Sequence, residues 1–311
     1  MKIGVVIPAY KVLKQIQGVI LSLPSTVDHI IVVDDKCPQF SGREAQKIND
    51  QRLTVLYHQR NMGVGGAVIT GYKEAMKLGC DIIIKVDGDG QMDPLYIDKL
   101  IAPLFNDEAD YSKGNRFADF GVLKSMPRVR LFGNSVLSFL IKITSGYWSV
   151  MDPTNGYTAI RRETLEKIDL NKISKRYFFE SDMLIHLNII NAVVVDVSIP
   201  SKYSGEESSL SVGNTIALFP FMLLKGFARR IFLNYFIYDF NMASVYILLG
   251  APMFLWGILF GLIEWCDSLV HHTAKPLGTI MLITLSIVLS FQMLLQAVSI
   301  DIDSTPKKKN R

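Results

Sequence analysis

Up to about Pro200 the chain alternates between two hydrophobic periods, and beyond about Gly213 it turns strongly apolar. Ile3–Ile7 is a short β-branched run of the kind a buried parallel strand requires. Val12 to Leu23 follows with Ile16, Val19, Ile20 and Leu23 at helical spacing, and Pro24 ends it. His29–Val33, Leu53–Tyr57 and Ile82–Val86 read as further strands, and Val64–Leu78 as a helix. Pro94–Phe105 reads as a helix with proline in its first turn. Arg128–Thr144 predicts another helix, and Ala192–Ile199 a last strand. This βαβα rhythm implies an α/β fold with a mostly parallel, doubly wound sheet. Ligands bind such sheets at the carboxyl ends of the strands. Polar clusters follow three of those ends, at Pro8–Tyr10, Asp34–Asp35 and Asp87–Gln91.

The apolar tail divides in three. Thr215–Tyr238 carries Lys225, Arg229 and Arg230, with Lys225 and Arg229 on one helix face, as in a helix lying in a membrane interface. Met242–Ile263 and Leu277–Ile300 are uncharged and long enough to cross a bilayer. The domain reading is therefore an α/β domain over 1–210, an interfacial amphipathic region over 213–240, two transmembrane helices over 241–303 and a basic tail over 304–311. Basic residues flank the outer ends of the pair, at Lys225, Arg229 and Arg230 and at Lys307–Lys309 and Arg311. The positive-inside rule places both ends, and the preceding domain, on the cytoplasmic side of the cell membrane. Gly257 and Gly261 stand at small-xxx-small spacing and leave room for a homo-oligomer.

Composition adds little beyond this. A net charge of +4 over 311 residues, without an aromatic-interleaved basic stripe, argues against nucleic acid as a partner. Three cysteines without paired spacing (Cys37, Cys80, Cys266) argue against a disulfide scaffold or zinc site and suit a reducing compartment. The first apolar run is too short for a signal peptide.

The strongest chemical signal is Asp87-Gly88-Asp89-Gly90-Gln91, directly after a strand. Two carboxylates there repel unless a cation sits between them, and oxygen-only ligands suit Mg2+ or Mn2+. The glycines clear space for a diphosphate; a plain polar turn is the competing reading. Asp34 and Asp35 can accept hydrogen bonds from a base or ribose, or can serve as turn caps. Asn61–Ala67, with Gly63, Gly65 and Gly66, opens a helix in the manner of a phosphate-cradling turn, although close packing explains such glycines equally well.

Taken in order, Ile7-Pro8-Ala9-Tyr10, Val32-Val33-Asp34-Asp35, Asn61–Ala67, Asp87–Gln91 with Asp93-Pro94, Gly114-Asn115-Arg116-Phe117 and Asp152-Pro153-Thr154-Asn155-Gly156-Tyr157 resemble glycosyltransferase family 2. Within it they are similar to the branch of dolichyl- and polyprenyl-phosphate sugar synthases. The resemblance covers about the first two hundred and ten residues and implies a GT-A-type fold. It implies inverting transfer of a sugar from a nucleotide-sugar donor to a polyprenyl phosphate; the alternative is a membrane-bound enzyme with a sugar hydroxyl as acceptor. It also implies roles. Asp87, Asp89 and Gln91 would hold the metal and donor diphosphate. Asp34, Asp35, Pro8, Ala9, Tyr10 and Gly65 would contact the donor. Arg116, Arg128 and Arg130 would hold the acceptor phosphate. Asp89, Asp152 and Glu180 are the catalytic candidates, Asp152 and Glu180 as bases or sugar-hydroxyl ligands. Three stretches depart from the family's pattern: Lys11-Val12, Lys36-Cys37-Pro38 and Tyr203–Ser209.

Overall fold

The computed structural model describes residues 1–118, 128–200 and 212–307, and the chain forms two compact units, 1–230 with 306–311 and 231–305. In the first unit, strands β1 (Ile3–Ala9), β2 (His29–Asp34), β3 (Leu53–Tyr57), β4 (Ile82–Lys85), β5 (Tyr111–Asn115), β6 (Thr158–Arg161) and β7 (Val194–Ser198) form one sheet in the order β3-β2-β1-β4-β6-β5-β7. The first four run parallel, with Val5 opposite Ile30 and Ile84, and Val32 opposite Val55.

Successive residues along these strands enter opposite cores, as the pleat dictates. Val6, Ile31, Val33 and Ile83 join one cluster, whereas Val5, Ile7, Ile30, Val32, Ile82 and Ile84 join the other. Helix α3 (Val64–Lys77) covers the first face through Ala67, Val68, Tyr72 and Ala75. Helices α1 (Ile16–Leu21) and α4 (Ile97–Phe105) cover the second, and the short α2 (Ser41–Ala45) packs beside α1. The sheet is thus wrapped on both sides, and its middle strands read as unbroken apolar runs for that reason.

Beyond β4 the topology changes. β6 pairs antiparallel with both β4 (Ile84 opposite Ala159) and β5, and β7 returns parallel to β5. Neither β5 nor β6 is signalled by the hydrophobic pattern. β5 reads Tyr-Ser-Lys-Gly-Asn, yet every residue of it is buried. The helices α5 (Arg128–Ser145), α6 (Arg162–Glu166) and α7 (Phe179–Ile189) complete this half.

Helix α8 (Val212–Phe232) occupies the stretch expected to lie at a membrane interface. Two of its three cations are engaged within the domain. Arg230 is buried and donates from Nε to the Thr144 carbonyl at 2.9 Å and from Nη2 to the Ile143 carbonyl at 2.9 Å, capping the last turn of α5. Arg229 Nη1 donates to His186 Nε2 at 3.0 Å on α7. Lys225 is exposed.

The second unit is a helical pair, α9 (Met242–His271) and α10 (Leu277–Asp303), preceded by a π-helical turn at Leu233–Tyr238. Each long helix has a mean hydropathy of 2.0 with only 11% of its apolar window buried, so both are long and apolar enough to cross a membrane. Asn241 and Ser244 form a capping box at the start of α9. Tyr235 donates its hydroxyl to Asp301 at 2.7 Å, tying the π-turn to the end of α10. Gly250, Gly257 and Gly261 face Met293, Ile287 and Ile283 of α10. These small residues let α9 and α10 approach closely within the chain. At the opposite end Lys275 bridges Glu264 at 2.7 Å and Asp267.

Candidate functional site

The register of β1, β2 and β4 sets the expected site residues along one edge of the sheet. Ala9 lies opposite Asp34, and Asp35 donates its backbone N–H to the Ala9 carbonyl at 3.1 Å. Asp87 follows β4 two residues after Lys85, whose register partner is Val6. A side chain added at Gly88 would stand 3.3 Å from the Pro8 carbonyl, so the β1 and β4 ends meet there. Ala9 is buried, while Tyr10 is exposed with the Lys11 ammonium 5.5 Å from its ring centre.

The paired aspartates at the end of β2 shape loops. Asp34 is buried and accepts the backbone N–H groups of Cys37 and Gly42, each at 2.7 Å. Asp35 is buried and accepts those of Met62 and Gly63, each at 2.7 Å, and His58 Nδ1 at 2.7 Å. His58 Nε2 in turn meets Thr70 Oγ1 at 2.9 Å. Backbone amides and His58 thus occupy both carboxylates, the turn-capping alternative left open by the sequence.

The glycine turn is also structural. Gly63 has φ +84°, and a side chain there would meet the Lys175 carbonyl at 2.6 Å. At Gly65 it would meet the Ser174 carbonyl at 2.6 Å and the Phe179 ring at 2.8 Å. Gly66 donates its amide to the Lys175 carbonyl at 2.9 Å. These glycines admit the 174–179 segment, and the amides of Gly63 and Gly66 are already used inside the protein. Close packing thus accounts for these glycines, and two of the amides a phosphate cradle would use are committed to Asp35 and Lys175.

Asp87 has its own cation. Lys85, with 1% of its side chain exposed, places Nζ 2.8 Å from Asp87 Oδ1 and 3.3 Å from Glu180 Oε1 at the start of α7. Burial alone would lower the Lys85 pKa, but Asp87 and Glu180 outweigh it and hold it above the usual lysine value. An ammonium within the protein therefore offsets the charge of Asp87 before any metal binds. Asp89 is half-buried and accepts the Gln91 backbone N–H at 3.0 Å, while Gln91 itself is exposed. Among the described residues no group of three or more His, Cys, Asp or Glu side chains is placed to hold a metal. The donor set Asp87, Asp89 and Gln91 is all oxygen and incomplete, which fits a hard cation that draws its remaining ligands from a diphosphate.

Across the site, Asp152 is fully buried and clamped by Arg116. Nε donates to Oδ2 at 2.7 Å, Nη2 to Oδ1 at 3.0 Å, and the Arg116 backbone N–H to Oδ2 at 3.2 Å. Thr154 Oγ1 lies 3.4 Å from Oδ1. Both candidate bases are thus paired with cations, Asp152 with Arg116 and Glu180 with Lys85. Arg116 retains one-third exposure. The helix backbone at Arg128 and Arg130 is described, but their side chains lie outside the described residues, as does Tyr203–Ser209.

Sequence reasoning missed Lys85, Lys113 and His58. Lys113 on β5 is fully buried and donates to the Asn155 carbonyl. Burial drives its pKa down to about 8; the charge of Lys85 pushes the same way, and Glu180 and Asp152 oppose it. Lys85 carries a usable signal: a lone charge in an apolar strand run, two residues before Asp87 and so on the same face. The departures at Lys11 and Lys36-Cys37 meet in space. Lys11 and Lys36 both adopt left-handed backbone, at φ 60° and 54°, and the Lys11 N–H points to Cys37 Sγ at 3.0 Å.

Residues 4–169 match the family model of glycosyl transferase family 2. The chain is 32% identical over 231 residues, 70% of its own length and 91% of the relative's, to the UDP-N-acetylglucosamine–dolichyl-phosphate N-acetylglucosaminyltransferase of Methanococcus voltae. It is 30% identical over 191 residues, 59% of its length and 69% of the relative's, to the polyprenol monophosphomannose synthase of Mycolicibacterium smegmatis. The glucosyl-3-phosphoglycerate synthase of Mycobacterium tuberculosis, in a crystal structure with Mn2+, UDP and phosphoglyceric acid, shares the fold with a TM-score of 0.53 at 18% identity, over 74% of this chain and 78% of that one. With the family pattern spanning more than half of its residues, and a relative that matches it along most of both chains, this protein belongs to glycosyl transferase family 2.

Proposed function

We propose that the protein transfers a sugar from a nucleotide-sugar donor to a polyprenyl phosphate, with inversion at the anomeric carbon, at the cytoplasmic face of the cell membrane. The observation that carries this reading is the state of the two candidate bases. A sugar hydroxyl must lose a proton as it attacks, and a free carboxylate is the usual acceptor. Asp152 and Glu180 are both committed to cations. A phosphate oxygen is already anionic near neutral pH and needs placement more than deprotonation. Relatives named for dolichyl-phosphate and polyprenol acceptors support the same choice.

Arg116 is the acceptor-phosphate candidate whose side chain is described, and Asp152 holds its guanidinium in a fixed plane. Arg128 and Arg130 are proposed to assist from α5. Pro8, Ala9 and Tyr10 line the nucleotide side, with Asp34 and Asp35 stiffening the loops around it. Asp87, Asp89 and Gln91 would hold Mg2+ or Mn2+ with the donor diphosphate. When bound, that cation neutralises charge on the departing nucleoside diphosphate. Structure neighbours crystallised with Mn2+ or Mg2+ and UDP support this assignment. The helices α9 and α10 would anchor the protein as a two-span membrane protein, with Lys225 and Lys307 on the cytoplasmic side.

The test is a membrane assay with a panel of radiolabelled nucleotide sugars. A chloroform-extractable, acid-labile product that disappears in chelator and in Asp89→Ala supports the reading. Label retained in polymer, or turnover by Asp89→Ala in chelator, overturns it.

A further inference from the structure

The Lys85 ammonium is almost wholly buried between Asp87, just past the end of β4, and Glu180, in the first turn of α7. The fit around it is tight. A side chain at Gly156 would overlap Lys85 Nζ and stand 2.7 Å from Asp87 Oδ2, so Gly156 leaves room for the pair and for nothing larger. Tyr72, also buried and close enough to feel the Lys85 charge, has its hydroxyl pushed up to about 12 by burial and so stays neutral. Lys85 therefore has two anionic partners and one of them is an expected cation ligand. A carboxylate already paired with an internal ammonium attracts a second cation less strongly than a bare one.

We propose that Lys85 is a positioning residue that offsets the charge of Asp87, so that the divalent cation is recruited together with the nucleoside diphosphate and not by the empty protein. This rests on the donor-site reading above and adds an order of assembly to it. The diphosphate supplies the negative charge that Lys85 has cancelled, together with the ligands that the protein lacks. Lys85 also fixes Asp87 against Glu180, so the carboxylate that meets the cation is oriented before the donor arrives. Binding of metal and of nucleotide is then strongly coupled, and by linkage each favours the other equally.

The experiment is Mn2+ binding to the full chain in detergent, read by the electron paramagnetic resonance of free Mn2+, with and without UDP or GDP. The expected result for the wild-type protein is weak Mn2+ binding that tightens by at least about ten-fold with the nucleotide it accepts. In Lys85→Met, Asp87 and Glu180 face each other unpaired. Mn2+ binding without nucleotide is then expected to tighten by about five-fold, and the gain from nucleotide to shrink. Lys85→Gln, which keeps a donor for Asp87 but removes the charge, gives the same answer should Lys85→Met fail to fold. Glu180→Gln, which leaves the Lys85–Asp87 pair intact, is expected to keep the wild-type coupling. Equal Mn2+ affinity with and without nucleotide in the wild type, or an unchanged ratio in the neutral variants, overturns the inference. Failure of any nucleoside diphosphate to bind in the presence of Mn2+ is a separate outcome: it removes the donor-site reading itself, and this inference with it.

Discussion

Replacing Asp152 by asparagine separates two roles for this carboxylate. Asp152 has no exposed surface, and both of its oxygens accept from Arg116, at 2.7 and 3.0 Å from the guanidinium. Asparagine is nearly isosteric but offers one acceptor and turns an N–H2 group toward a cation. Removing one partner of a buried ion pair costs about 3–5 kcal/mol when the other stays buried. Arg116 keeps one-third exposure and can recover water, so a loss of about 2–3 kcal/mol is expected. For a domain of this size that is a fall of roughly 5–10 °C in melting temperature. The guanidinium is also released from its plane, so the KM for polyprenyl phosphate should rise about ten-fold while kcat changes by less than about three-fold. Thermal unfolding of the purified chain in detergent, paired with steady-state kinetics, measures all three. A collapse of kcat with melting temperature and KM unchanged would make Asp152 a general base and refute the positioning role.

Two further outcomes follow from buried polar groups. Arg230→Leu leaves the Ile143 and Thr144 carbonyls at the end of α5 without their donor, and should destabilise the first unit by about 2–4 kcal/mol, read by thermal unfolding. Asp196 accepts the Met151 N–H at 2.6 Å, but its Oδ1 is buried without a partner, and burial pushes its carboxyl up to about 6. Because the folded state holds this proton more tightly than the unfolded chain, stability should fall as pH rises from about 4 to about 6 and then level. Asp196→Asn removes this contribution, of at most about 3 kcal/mol, so the melting temperatures of the two proteins should diverge across that window and run parallel above it; a constant difference from pH 4 to 7 would contradict the assignment.

The first half of the fold was legible because its strands are buried on both faces. Ile3–Ile7, Ile82–Val86 and the Val64–Leu78 helix could hardly be read otherwise. β5 was not, because its buried positions include Ser112 and Lys113, whose burial is made tolerable by carbonyl partners at Leu100 and Asn155. The site shows the same division. The strand-end acids were visible as Asp34, Asp35, Asp87 and Asp89. Their roles depend on groups that no local pattern reveals: the Cys37, Gly42, Met62 and Gly63 amides, and Lys85 between Asp87 and Glu180. At Asp87 the compensating cation comes from within the chain, on a strand whose pattern is otherwise apolar. Likewise Arg229 and Arg230 looked like an interfacial charge cluster, but His186 and the end of α5 take them up. Helical spacing alone cannot tell a lipid-facing arginine from one that caps a neighbouring helix.

The most direct measurement supplies the purified protein with its radiolabelled nucleotide sugar, Mn2+, and either polyprenyl phosphate or the matching polyprenol. Transfer to the phosphate and none to the alcohol is the expected result, since only the phosphate brings its own anionic nucleophile. Comparable transfer to polyprenol, or to a sugar hydroxyl in place of either lipid, would contradict it.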